Sequence, residues 1–127
     1  MVELAVTDLR TTTAELGGST YVLAVTGRLD PSSSRSLAGE LDRVLARAAS
    51  RVAIDVSGVS VADPPALEPL VERARTLAAR GGELVLVVDV ALRLLLEHRG
   101  IDSSLRIERS LAEAIDRFVS DPVVDAS

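Results

Sequence analysis

The chain has no cysteine. That excludes disulfides, thiol nucleophiles and cysteine-ligated metals together, and it suits a reducing compartment. There is no tryptophan, and Tyr21 and Phe118 are the only aromatic residues. The core must therefore be built from Leu, Val, Ile and Ala, and a protein that stacks bases on rings is not expected. Lysine is missing as well, so all 14 basic residues are arginine, and 19 acidic residues leave a net charge of −5. An acidic balance argues against DNA, RNA or an anionic membrane surface as partner. No apolar run approaches the roughly 20 residues of a membrane span. The first residues, Met1-Val2-Glu3-Leu4, offer neither the basic nor the apolar region of a signal peptide. A cytoplasmic protein without membrane insertion is the expectation.

At 127 residues, 47% hydrophobic and 26% charged, the chain suits a single domain over residues 1–127. Its core is expected over about residues 3–119, with 120–127 as a frayed tail. Residues 3–16 read as an opening strand or a bent strand pair, with Leu4, Val6 and Leu9 apolar. Gly17-Gly18-Ser19 marks a turn, and Tyr21–Val25 follows as a second strand, antiparallel because a short turn permits only that. Gly27-Arg28-Leu29-Asp30-Pro31 ends it. Leu37, Leu41, Val44, Leu45 and Ala48 recur at the helical period and predict a helix over 33–49. Val52–Val56 is a strand. A second helix runs to about Arg80 with Leu67, Leu70, Val71, Ala74, Leu77 and Ala78 inward, and Gly81-Gly82 stops it. Leu84–Val88 is apolar throughout, as a strand covered on both faces should be. Asp89–Arg99 is a third helix, Leu105–Ile107 a short edge strand, and Ser110-Leu111-Ala112-Glu113 a capping box opening a fourth helix. That helix has Leu111, Ala114, Ile115, Phe118 and Val119 on one face. The order ββαβαβαβα implies an α/β fold, an open mixed sheet of mostly parallel strands with helices packed against it.

Several of these segments resemble one family. Gly27-Arg28-Leu29-Asp30 resembles the G-x-L-D that precedes the first helix of STAS domains, the bacterial anti-sigma factor antagonists. Ile54-Asp55-Val56-Ser57-Gly58-Val59 resembles their strand of the form hydrophobic-D-L-S-G-V. Asp63 falls where the family writes D-S-S/T-G-L. Gly81-Gly82-Glu83-Leu84-Val85-Leu86-Val87 resembles G-G-x-L-x-L, and Leu94–Gly100 followed by Ile101 resembles L-x-x-x-G-[LI]. The likeness spans residues 3 to about 119. It implies a STAS-type fold and a non-enzymatic module that needs no cofactor. Such a module binds a serine-kinase-type anti-sigma factor and is released when that kinase phosphorylates the hydroxyl pair after the aspartate.

This chain departs from the family at that pair. Val61-Ala62-Asp63-Pro64-Pro65-Ala66-Leu67 places Pro64 and Pro65 in the hydroxyl slots and Ala66 in the glycine slot. Proline cannot accept a phosphoryl group, so no phosphoacceptor is expected there. Ser57 and Ser60, on the approach loop to that junction, are poor substitutes. Each proline also lacks the N–H that a phosphate at a helix start would need. Pro69 would sit too deep in a helix capped by Asp63, which predicts a delayed or kinked start. The expected partner surface is the Arg28–Ser34 loop with the start of the second helix: Asp30, Ser32, Ser33, Asp63, Pro64, Pro65, Leu67, Glu68 and Val71.

Two other functions fit the same residues. One is a STAS-like accessory subunit of a membrane transport complex. The other is a small-ligand domain or enzyme that uses Asp30, Asp55 and Asp63 at one end of the sheet, although no histidine or cysteine joins them. His98, the single histidine, suits the end of the third helix as a cation. Arg43, Arg47 and Arg51 read as a solvated helix face balanced by Glu40 and Asp42. Self-association is left open.

Overall fold

The computed structural model describes residues 9–61, 64–99 and 106–120. Two strands open the chain, β1 (Arg10–Gly17) and β2 (Thr20–Leu29), followed by helix α1 (Pro31–Ala46) and strand β3 (Arg51–Val61). A 3-10 turn (Pro64–Leu67) leads into α2 (Glu68–Ala79). Then come β4 (Glu83–Val87), α3 (Val90–Arg99), β5 (Arg106–Glu108) and α4 (Leu111–Ser120). The strands lie side by side in chain order. β1 and β2 are antiparallel, and each later pair is parallel. The fold is therefore the expected α/β arrangement. The expected residues 1–8, Gly100–Leu105 and the tail after 120 lie outside the described residues.

The β1–β2 turn shows why a short loop suffices. Gly18 and Ser19 both have positive φ, 59° and 65°, the mirror-image turn whose twist matches an antiparallel pair. Downstream, alternate side chains serve two separate cores. Val52, Ile54, Leu84, Leu86 and Val88 face one side with the buried residues of α1, α2 and α3. Val22, Ala53, Val85 and Val87 face the other, against Ala114 and Phe118 of α4. Successive right-handed crossovers put α1, α2 and α3 on one face. Only the helix after the last strand reaches the other.

β3 is twice the expected length because it bulges. Ala24 pairs with Asp55 but Thr26 pairs with Gly58, so Val56 and Ser57 together oppose Val25. The Asp55 carboxylate accepts from the Ser57 N–H at 3.0 Å and from its hydroxyl at 2.6 Å, closing the bulge. Past it, β3 pairs with β2 as far as Leu29 and Val61. Ser57 and Ser60 therefore lie on a strand, where a loop was expected.

Several inward assignments shift by one position. Ala48 is exposed, in a left-handed conformation just past α1 (φ 61°), and Ala49 is the buried residue. Ala78 is exposed on α2, and Val119 is 73% exposed on α4. Arg51 belongs to no helix face; it opens β3 and is buried. The Gly81-Gly82 stop has a steric reason. Gly81 takes positive φ, 82°. A Cβ on Gly82 would lie 2.4 Å from the Ser50 carbonyl oxygen and 2.7 Å from Leu77, so α2 can come this close to the start of β3 only at a glycine.

Candidate functional site

The site is built where β2 and β3 end. Asp30 N-caps α1 with extended backbone, and Pro31 follows as the first helical residue, where its missing N–H costs nothing. The Asp30 carboxylate accepts from the Ser33 N–H at 2.9 Å, and the Ser33 hydroxyl accepts from the Asp30 N–H at 2.9 Å. This is a reciprocal capping box with serine in the usual glutamate position. The same hydroxyl donates to the Arg28 carbonyl at 2.8 Å, so the loop is cross-braced from Arg28 to Ser33. The Ser33 N–H holds the Asp30 carboxyl below the usual carboxylate range. Desolvation is the next largest effect and opposes it, while the Ser33 hydroxyl, the Ser32 N–H and the Arg28 charge add to the lowering.

The second half of the site is the turn at Pro64–Leu67. It is wound as a 3-10 helix, and α2 begins only at Glu68, with Pro69 in its first turn. The delayed start expected from Pro69 is what the chain adopts. A carbonyl in a 3-10 turn gives its lone pair to the N–H three residues on. For Ala66 that residue is Pro69, which has no N–H. The Ser34 hydroxyl, from α1, instead donates to the Ala66 carbonyl at 2.7 Å.

The structure divides the expected partner residues. Ser32, Pro65 and Glu68 are exposed, and Asp30 and Ser33 are half-buried at the same end of the sheet. Leu67 and Val71 are not surface residues. They are 1% and 3% exposed and belong to the core shared by α1, α2 and α3. The late start of α2 sets its rotation, and that rotation turns both inward. Pro64 opens the turn, and Asp63 lies outside the described residues. Sequence reading missed Ser34, named only as the end of the Arg28–Ser34 loop. The signal was present: three serines follow Pro31, one N-cap needs only one partner among them, and Pro69 leaves a carbonyl to be filled.

Among the described residues, Asp30 and Asp55 do not come together as a ligand or catalytic site. Asp55 sits beside Ala24 in the middle of the sheet, while Asp30 lies beyond the end of β2. The two are six residues apart along the strand direction, about 20 Å at 3.3 Å per residue. Each is engaged locally, one in a cap and the other in a bulge. A groove of about 320 Å³ runs between the end of β3 and α3, lined by Val59, Ser60, Asp89, Ala91, Leu92 and Leu95. The carboxylate in that lining, Asp89, caps α3 by accepting from the Leu92 N–H at 2.8 Å. Among the described residues, no three His, Cys, Asp or Glu side chains gather as metal ligands, and no helix is long and apolar enough to cross a membrane.

The family described as "Mlab, STAS domain" matches residues 12–107. Among solved structures, an anti-sigma factor antagonist from Mycobacterium paratuberculosis is similar, with a TM-score of 0.71 and 18% identity over 86% of this chain and 92% of that one. The Bacillus cell fate determinant SpoIIAA, in its phosphorylated form, matches with a TM-score of 0.65 and 19% identity, covering 85% of this chain and 98% of its own. RsbS from Moorella thermoacetica matches with a TM-score of 0.72 and 23% identity, covering 87% and 96%. At these identities the likeness is one of fold. No curated protein matches the sequence.

Proposed function

The chain belongs to the STAS domain family, and from that premise we propose that it is a non-enzymatic, cytoplasmic regulatory module that binds an anti-sigma factor of the serine-kinase type. Asp30, Ser32 and Ser33 would meet the partner from the α1 side, and Pro65 and Glu68 from the α2 side, with Asp63 and Pro64 between them in sequence. Two similar solved structures support the reading: one is described as an anti-sigma factor antagonist and another was captured in a phosphorylated form. The observation that carries it is the turn at Pro64–Leu67. Two prolines replace the hydroxyls of the family motif, and α2 starts late enough to absorb a third, Pro69.

A partner kinase would find no hydroxyl at 64 or 65 to phosphorylate, and the turn lacks the N–H groups that would hold a phosphate there. Binding would then be constitutive. Proline fixes φ, so the turn also loses less entropy when a partner orders it.

The test is co-purification of the tagged protein from its native host, with bound proteins identified by mass spectrometry, alongside the Pro64→Ser/Pro65→Ser variant. We expect a serine-kinase-type anti-sigma factor with the unmodified chain, and phosphate on the double variant alone. Recovery of a transport ATPase or permease instead would replace this reading with that of an accessory subunit of a transport complex. A small molecule retained with no protein partner would overturn both.

A further inference from the structure

Ser34 is one of two buried polar or charged side chains among the described residues, and it is only 5% exposed. It stands in the first turn of α1, where a buried position otherwise takes an apolar residue. Burying a hydroxyl without a partner costs free energy. A serine in a helix commonly bonds back to the carbonyl four residues earlier. Here that carbonyl, on Asp30, accepts the Ser34 N–H at 2.8 Å. The hydroxyl instead crosses to the Ala66 carbonyl at 2.7 Å, a residue 32 positions away in sequence. Its acceptor is itself buried, beside Leu67 in the core.

We infer that Ser34 is a positioning residue that locks the 3-10 turn to the start of α1 and so holds the two halves of the proposed partner surface in one fixed relation. The inference rests on the reading of that surface given above and concerns how it is held in shape. The hydrogen bonds run without a break in the chain between the two halves. Arg28 is tied to Ser33, Ser33 to Asp30 in both directions, and the next residue, Ser34, to Ala66. One half displays Asp30, Ser32 and Ser33, and the other Pro65 and Glu68. The lock matters because the turn is short of donors of its own. Pro64 and Pro65 donate nothing, and Pro69 removes the N–H that the Ala66 carbonyl would take. A partner meeting a locked surface does not have to order it.

The test is amide hydrogen exchange on the free protein, wild type against Ser34→Ala and Ser34→Thr, followed by affinity for the anti-sigma factor. In Ser34→Ala, exchange at Ala66, Leu67 and Glu68 should rise about fivefold more than in β3 and β4, the size expected for one neutral hydrogen bond. Affinity for the partner should fall by a similar factor. Ser34→Thr keeps the hydroxyl and should restore both. An equal rise across β3, β4 and the turn would mean that Ser34 only adds global stability and would overturn the inference. So would unchanged exchange, or unchanged affinity despite faster exchange at the turn. If wild type binds no anti-sigma factor, the functional reading falls by itself, since the exchange comparison needs no partner.

Discussion

Asp30 shows how one side chain can shape a loop and its pH response together. Its carboxylate caps α1 and is held below the usual carboxylate range, chiefly by the Ser33 N–H. A carboxyl whose value drops on folding adds stability above its unfolded value, near 4. That stability is lost as pH falls through the lower folded value. Thermal melts between pH 6 and 2 should therefore fall more steeply for wild type than for Asp30→Asn, because asparagine keeps the cap without the charge. The two curves should run parallel above about pH 5. Equal slopes throughout would show that the carboxylate adds nothing beyond its cap. The cap itself was legible, because Asp-Pro-Ser-Ser at a helix start allows few readings. Leu67 and Val71 were less so. Their spacing fits a buried stripe, and the family likeness places them beside the partner site. Only the actual start of α2 sets their rotation, and the three prolines obscured that start.

The ends of α1 and α2 solve one problem with different residues. Past α2, Gly81 is left-handed, its N–H bonds to the Ala78 carbonyl at 3.0 Å, and the Gly82 N–H bonds to Leu77 at 2.9 Å. That is the Schellman closure, for which glycine is the ordinary choice. Past α1, Ala48 takes the same left-handed position at φ 61°, its N–H bonding to the Leu45 carbonyl at 3.1 Å. An L-residue there costs about 1–2 kcal/mol, while the looser unfolded chain of a glycine costs about 0.4–1 kcal/mol. The strain is the larger quantity, so Ala48→Gly should stabilise the protein by roughly 0.5–1 kcal/mol in denaturant unfolding. A destabilisation would show that the Ala48 methyl contributes more than its strain costs. Helical period placed Ala48 inside the helix, since nothing local marks an alanine as a terminator. Beyond Val56, Ser57-Gly58 and Ser60 look like loop residues. They form a strand because pairing with Thr26–Leu29 across the bulge outweighs their local preference.

At the scale of the molecule, element order and strand direction were legible because the central parallel strands carry apolar runs, Val52–Ile54 and Leu84–Val87, and each crossover helix is periodic. What periodicity could not show is how unequal the two cores are. Among the described residues, three helices cover one face of the sheet and α4 alone covers the other, through Ala114 and Phe118. A helix this short is marginal on its own and depends on its tertiary contacts, and two charged contacts add to its apolar packing. Glu83 of β4 accepts from Arg117 at 2.9 Å and lies 3.5 Å from Arg106. Arg51, 7% exposed, donates to the Phe118 carbonyl near the end of α4 and stacks its guanidinium 5.6 Å from the Phe118 ring. A cation at a helix C-terminus also opposes the negative end of its dipole. Arg51→Met keeps an apolar stem close to that of arginine and removes its donors and charge. Losing a charge-assisted bond costs about 1.5–3 kcal/mol, and relief of a buried charge offsets part of it. A net loss near 1.5 kcal/mol is expected, and its distribution is the sharper test. Amides of residues 114–119 should exchange faster than those of α1 and α2, because α4 would detach before the larger core opens. A uniform loss of protection over both faces would mean that the two cores unfold as one and that α4 does not depend on Arg51 for its place.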